Sequence, residues 1–300
     1  MRQIAELYKK KYKALLVIPA ALLIISIILI IAQYARTGDF VYRDVTLKGG
    51  VTLTISTQES VDPVKFEKEL TETLGFDNSV RVWSRAGAPV GYIIDSAIDT
   101  SNQEITEKQT DMLLEAVKEK FPGLTKDNYS IETIGSSLGA SFFKQTFTAL
   151  IIAFIFMGIV VFFYFRTFVP SAAVMLAAFS DIIVTLAIID LLRIKLSTAG
   201  IAAFLMLIGY SVDTDILLTT RVVKRKIGTV YERVIGAMKT GLMMSATTLA
   251  AVITALLISD SEVLKQIMTI LLIGLLIDFI NTWIQNAGIL RWYMEHKSGE

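Results

Sequence analysis

The sequence predicts an α-helical polytopic membrane protein with six transmembrane helices and one α+β ferredoxin-like extracytoplasmic domain. Three observations predict it. Six apolar runs, Ala14–Tyr34, Gln145–Phe165, Val169–Ile189, Leu196–Leu218, Gly241–Ile258 and Gln266–Gln285, each approach the about 20 residues that cross a bilayer. A single long polar stretch, residues 36–144, separates the first two. Basic residues collect on alternate connections. Hydrophobic residues make up 53% of the 300-residue chain, above the usual apolar share of a soluble domain.

Residues 1–35 read as a cytoplasmic N-terminus and the first span. The Lys9-Lys10-Lys11 flank resembles the start of a signal peptide, but the apolar stretch is too long and no small-residue cleavage site follows. It reads as an uncleaved span. Lysine and arginine set the orientation. Arg2, Lys9, Lys10, Lys11 and Lys13 precede span one; Arg221, Lys224, Arg225, Lys226, Arg233 and Lys239 follow span four; Arg291 and Lys297 lie in the tail. All three segments fall on the cytoplasmic side of a cell membrane. That leaves residues 36–144 extracytoplasmic, spans two to six in 145–290 and a cytoplasmic tail in 291–300. Val222–Met238, basic and interrupted by Gly228, reads either as an interfacial amphipathic helix or as a solvated positive-inside loop.

Within the polar stretch, Val51–Ile55 alternates and is β-branched, a strand. Asp62–Leu74 reads as a helix with Asp62 as N-cap and Pro63 at its first position. Ser79–Ser84 and Val90–Asp95 read as strands joined by a turn at Ala86-Gly87-Ala88-Pro89. Thr100–Phe121 contains a second helix, ended by Pro122-Gly123, and Tyr129–Ile134 is the last strand. The order β-α-β-β-α-β is the ferredoxin-like pattern, a fold that fixes no function.

Charge and residue chemistry exclude several classes. The net charge is +1, so no nucleic-acid partner is indicated. Residues 36–144 carry 12 basic and 17 acidic side chains, a net −5, and the remainder a net +6. With no cysteine, and one histidine (His296) in the tail, the chain offers no thiolate or histidine metal site and no Ser–His base. No G-x-x-x-x-G-K-[ST] loop is present. The expectation is no metal, no cofactor and no enzymatic activity, with energy drawn from a gradient or another protein.

The polar residues inside the apolar runs are the functional candidates, because carboxyls at bilayer depth are costly and rare. Span four places Asp213 and Asp215 two residues apart, on nearly opposite sides of a helix. Gly209 lies on the Asp213 side, where it permits close helix approach, and Arg221 follows about two turns on, on roughly the same side. Ser211 shares the Asp215 side. Span three holds Ser180-Asp181, with Thr185 one turn on. Span six carries a stripe of Gly274, Asp278, Asn281 and Gln285, which reads as polar support between helices. Span five offers Ser245, Thr247, Thr248 and Thr254, the usual small packing residues of a bundle. The inventory of carboxyls, hydroxyls and amides suits proton uptake and release. Asp181 also fits a purely structural role, hydrogen-bonded to a neighbouring helix.

Several stretches, taken in order, carry a family resemblance. Asp44-Val45-Thr46-Leu47-Lys48-Gly49-Gly50 is similar to an Asp-x-x-x-x-Gly-Gly lead-in to the first ectodomain strand. Ile134-Gly135-Ser136-Ser137-Leu138-Gly139 is similar to a Gly-x-x-x-Gly exit into span two. Leu207-Ile208-Gly209-Tyr210-Ser211-Val212 is the most specific stretch, and Ser245-Ala246-Thr247-Thr248-Leu249 resembles a hydroxyl-rich span five. Together they resemble the archaeal type of the SecF family, within the SecD/SecF proteins of the RND superfamily, over essentially the whole chain. Ser180 stands where many bacterial relatives have histidine before the aspartate. The bacterial pattern after Gly-Tyr-Ser-x is Asn-Asp-Thr; here Asp213-Thr214-Asp215 puts the family aspartate on Thr214, between the two acids. Arg221 matches a family arginine.

The resemblance implies an auxiliary role in preprotein export, with a SecD-like subunit, the SecYE translocon, unfolded preprotein and the lipid bilayer as partners, driven by the proton motive force. On this reading Asp213 or Asp215, with Asp181, carries the proton and Arg221 modulates it. Ser211, Thr247, Thr248, Asp278 and Asn281 give polar support, and Gly49, Gly50, Gly135, Gly139 and Gly209 are structural. Asp213 is favoured over Asp215 because Gly209 and Arg221 share its side. A passive translocon scaffold and an RND-type small-molecule exporter are the competing readings.

Overall fold

A computed structural model describes residues 11–85, 88–225 and 227–298. Arg2, Lys9 and Lys10 of the N-terminal flank, Ala86-Gly87 of the expected turn, and Lys226 lie outside the described residues. Six helices are long and apolar enough to cross a membrane: α1 (Lys11–Thr37), α5 (Ser136–Phe165), α6 (Phe168–Leu191), α7 (Thr198–Lys224), α8 (Val230–Ile258) and α9 (Glu262–Lys297). Between α1 and α5 the chain forms α2 (Val45–Lys48), β1 (Gly50–Ser56), α3 (Pro63–Leu74), β2 (Asn78–Arg85), β3 (Ala88–Ser96), α4 (Gln103–Lys120) and β4 (Tyr129–Ile134).

The four strands form one sheet in the order β2-β3-β1-β4. Each neighbouring pair is antiparallel, with Leu53 opposite Ile94 and Ile131. The expected βαββαβ unit is therefore present. Alternation places Val51, Leu53, Ile55, Tyr92 and Ile94 on one face, where they bury Phe66 and Leu70 of α3 and Leu113 and Val117 of α4. The Asp62 carboxylate accepts from the Val64 and Lys65 amides and starts α3; Asn102 does the same for α4 through the Glu104 amide. The opposite sheet face is polar: Thr52 donates to Asp95 at 2.8 Å, and Arg81 pairs with Asp95.

That polar face and its flanking loops meet the helical bundle. Asp44 N–H donates to Leu196 O at 3.0 Å, and Leu196 N–H donates to Tyr42 O at 2.7 Å. The Thr198 amide donates to Thr46 Oγ1 at 3.2 Å, and Lys195 pairs with Asp77 at 3.1 Å. The α6–α7 connection is thus stitched to the lead-in of β1. The sequence reading took this lead-in straight into the strand. The structure inserts α2, one turn capped by the Asp44 carboxylate at 2.9 Å from the Thr46 amide.

In the bundle α6 and α7 are central, and α5 and α8 peripheral. Val222–Met238 is not a separate interfacial helix. α7 runs on through a π-helical turn, Thr220–Lys224, and Val230 opens α8 with a capping box formed by Thr229 and Glu232. Val230, Val234 and Ala237 are buried against Leu218, Val222 and Trp283, so this stretch packs into the bundle. The residues read as a polar tail from 291 are helical as far as Ser298. Glu295 there accepts from Tyr12 of α1 at 2.6 Å.

Candidate functional site

Asp181 of α6, Asp215 of α7 and Asp278 of α9 are all buried inside the bundle. Helical spacing puts Ser211 and Asp215 one turn apart on α7, Ser211 facing Asp181 of α6 and Asp215 facing α9. Ser211 Oγ donates to Asp181 Oδ2 at 2.5 Å. Asn281 Nδ2 donates to Asp181 Oδ1 at 2.8 Å. Asp278, one turn before Asn281 on α9, lies close enough to Asp181 for their charges to interact.

A second set of contacts links Asp278 to Asp215. Thr282 Oγ1 lies 2.8 Å from Asp278 Oδ1 and 3.0 Å from Asp215 Oδ1. Asn286 Nδ2 donates to Asp215 Oδ1 at 2.7 Å. Around them Gln285 Nε2 donates to Ser180 Oγ at 3.3 Å, and Ser180 donates to Leu176 O at 2.8 Å. Asn281, Thr282, Gln285 and Asn286 all belong to a π-helical turn, Asn281–Asn286, in the middle of α9. With Asp278 these residues fall at i, i+3, i+4, i+7 and i+8, one face of a helix, and π-helical turns are frequent at functional sites.

The chemistry of the cluster follows from its donors. Among the described residues no lysine, arginine or histidine side chain pairs with any of the three carboxyls. A hydroxyl has one proton to give. Thr282 therefore donates to one of Asp215 and Asp278, and its contact with the other is a hydrogen bond only when that carboxyl carries a proton. Buried polar atoms without a hydrogen-bond partner among the described residues sit at both ends: Thr185 Oγ1 one turn beyond Asp181, then Asp215 Oδ2 and Thr219 Oγ1. The result is a buried group of proton-exchanging side chains, Thr185, Asp181, Ser211, Asp278, Thr282, Asp215 and Thr219, spread over three helices.

The other sequence candidates lie elsewhere. Asp213 is exposed on the outer face of α7 with Gly209 and Tyr210, so Asp215, not Asp213, joins Asp181. A Cβ at Gly209 would meet nothing within 4 Å; no helix of this chain approaches there. Arg221 donates to Gly236 O at 2.6 Å and holds the start of α8, away from the acids. Thr247 is exposed, and both Thr247 and Thr248 return their hydroxyls to Met244 O. They give the cluster no support, because little of α8 is covered by the rest of the chain. Gly49 and Gly139 meet at the junction of the α+β unit with α5, Gly50 packs on Ser96, and Gly135 faces open space. Thr282 and Asn286 were missed by the sequence reading. Their signal was the density of amides and hydroxyls in an otherwise apolar run.

A six-span bundle with a ferredoxin-like unit after its first span is the architecture of one part of a translocon-associated membrane protein. The crystal structure of SecDF from Thermus thermophilus superposes with a TM-score of 0.73 at 18% identity, over 95% of this chain and 38% of that one. This chain thus spans well under half of that longer protein. Residues 114–296 match the C-terminal family of protein export membrane proteins SecD/SecF. The protein-export membrane protein SecF of Pyrococcus furiosus is 41% identical over 288 residues, covering 96% of this chain and 93% of its own. That of Methanocaldococcus jannaschii is 42% identical over 292 residues, covering 95% and 96%. The chain belongs to the SecF family of protein-export membrane proteins.

Proposed function

We propose that this chain is the SecF-type auxiliary subunit of the preprotein translocation machinery, and that it uses the proton motive force through Asp181, Asp278 and Asp215. In this reading it sits in the cell membrane with both termini cytoplasmic and residues 36–144 outside. It works without catalytic chemistry or a cofactor, beside a SecD-like subunit and the SecYE channel, on unfolded preprotein. The observation that carries the proton reading is a buried cluster of three carboxyls with hydroxyls and amides between them and, among the described residues, no basic partner. Moving a proton along it changes which carboxyl donates, so Ser211 and Thr282 must turn and the contacts tying α6 and α7 to α9 must change. The α6–α7 connection is hydrogen-bonded to the lead-in of β1, which gives a route from that change to the α+β unit.

Pairing with a SecD-like subunit is supported by Asp213. A carboxyl exposed on the outside of a span is costly in hydrocarbon, and Gly209 beside it leaves room for a second helix to approach. The proton reading is tested in membrane vesicles with an imposed pH gradient. Asp181→Asn, Asp215→Asn and Asp278→Asn should each reduce gradient-dependent export at least tenfold, with Thr247→Val as an unaffected control. Full gradient-dependent export by the triple variant would reduce the role to that of a passive scaffold.

A further inference from the structure

The two clefts beside the end of α1 form a second site, distinct from the acid cluster. Between α1 and α5, which make little direct contact, lies a cleft of about 420 Å³. Every side chain lining it is apolar; Ile30, Phe147, Ile151, Phe179, Ile182 and Phe204 show its span across α1, α5, α6 and α7. Phe147 and Ile151 are exposed, so the cleft opens sideways. Its lining residues on α1 and α5 lie two to five turns inside those helices, at the depth of hydrocarbon.

Val41 lines this cleft and also a polar chamber of about 230 Å³ beside Gln33, Asp39, Arg43 and Lys48. Two buried donors there, Arg43 Nε and Gln33 Nε2, have no hydrogen-bond partner among the described residues. A buried donor left unpaired costs about 1–3 kcal/mol, so both point to an acceptor. The acids of the chamber are engaged: Asp39 with Arg43 at 2.5 Å, Asp77 with Lys195 at 3.1 Å, Asp95 with Arg81, and Asp44 with Thr46. The Arg43 guanidinium lies 4.8 Å over the Phe143 ring, and Phe143 stacks on Phe147 at 5.8 Å. The rings run from the cation into the apolar cleft.

An apolar cleft at hydrocarbon depth, capped by a cation and orphan donors at the span end, matches a molecule with the same division. We propose that this is a binding site for one membrane phospholipid, a hydrocarbon chain lying between α1 and α5 and the phosphate accepting from Arg43 and Gln33. The cleft is too small for a partner helix, whose diameter with side chains is about 10–12 Å.

The full chain, purified in detergent and stripped of lipid, is offered phosphatidylglycerol, diacylglycerol or inorganic phosphate and examined by native mass spectrometry. One phosphatidylglycerol should be retained, at least tenfold more tightly than diacylglycerol, with no phosphate adduct. Arg43→Gln and Ile151→Trp, the latter filling the cleft from its exposed rim, should each weaken retention at least tenfold. Equal retention by all three proteins, or of both lipids, overturns the assignment. As a readout independent of cleft-filling, a tryptophan placed by Phe40→Trp at the exposed mouth reports brominated phosphatidylglycerol in nanodiscs. Saturable quenching that Arg43→Gln abolishes supports the site; quenching that rises linearly with lipid fraction and ignores Arg43→Gln overturns it.

Discussion

Gly139 of α5 packs directly on the backbone of Gly49: a Cβ at Gly139 would lie 2.6 Å from the Gly49 amide nitrogen. Gly49 itself has φ +87, and a Cβ there would lie 2.5 Å from Ser136 Cα. The lead-in to β1 and the first turn of α5 are therefore one contact between backbones, with no side chain to move aside. Gly139→Ala should cost about 1–3 kcal/mol, the usual scale of overpacking, seen as a lower melting temperature of the purified protein. Gly135→Ala, whose Cβ would meet nothing within 4 Å, should cost clearly less. Equal losses would show that this contact does not hold the junction.

Thr282 joins the two halves of the acid cluster, since its hydroxyl is the group that touches both Asp215 and Asp278. Thr282→Val keeps the shape and removes the proton exchanger. The expectation is a protein that inserts and pairs normally but loses at least tenfold in gradient-dependent export. Asn286→Ala, which removes the other donor to Asp215, should have a similar effect. Retained coupling in Thr282→Val would separate Asp215 from the path.

Much of the α+β unit was legible because its signals are local. The alternation of Val51–Ile55, the Asp62-Pro63 start and the Pro122-Gly123 stop each act within a few residues. Helical spacing likewise showed that Asp213 and Asp215 point apart. Choosing between them was not possible on the same grounds, because lipid and bundle core are equally apolar and a span carries no polar face to mark its exterior. In the sequence Gly209 and Arg221 mark the Asp213 side as the inner one; in the structure Gly209 faces outward and Arg221 binds a carbonyl of α8. The π-helical turn was also hidden. Nothing in the spacing betrays it, because Asp278, Asn281, Thr282, Gln285 and Asn286 at i, i+3, i+4, i+7 and i+8 already fit one face of an ordinary α-helix.

Asp44 should make the junction sensitive to pH. Burial pushes its carboxyl up to about 6, opposed by hydrogen bonds from Thr46 and aided by the nearby Asp95 charge, with Arg81 acting the other way. Asp39, Arg43, Lys48, Asp77, Arg193, Lys195, Glu262 and Lys265 complete the charged groups lining the clefts around it. The folded state holds the proton more tightly than the unfolded chain, so the stabilisation is complete below the usual carboxylate value and is lost as pH rises through about 6. Two units correspond to about 3 kcal/mol at most. Thermal unfolding between pH 4 and 7 should show this decline. Asp44→Asn keeps an N-cap for α2 and should flatten it; an unchanged slope would assign the pH dependence to another group.

Packing at Gly241 should control the acid cluster from a distance. A Cβ at Gly241 of α8 would lie 2.2 Å from Trp283 Cζ2 and 2.6 Å from its Cη2. Trp283 is buried and lies in the π-helical turn, next to Thr282. An indole ring has no flexible end to yield, so Gly241→Ala must shift either α8 or that turn. A shift of the turn moves Thr282 and Asn286 relative to Asp215 without touching any acid. The expected result is a change in Trp283 emission together with weakened gradient-dependent export, at a stability cost of about 1–3 kcal/mol. Gly236→Ala, in the same helix but with open space at its Cβ, should leave both emission and export unchanged. If Gly241→Ala alters the emission but export stays at the wild-type level, the position of the π-helical turn does not set the geometry of the proton path.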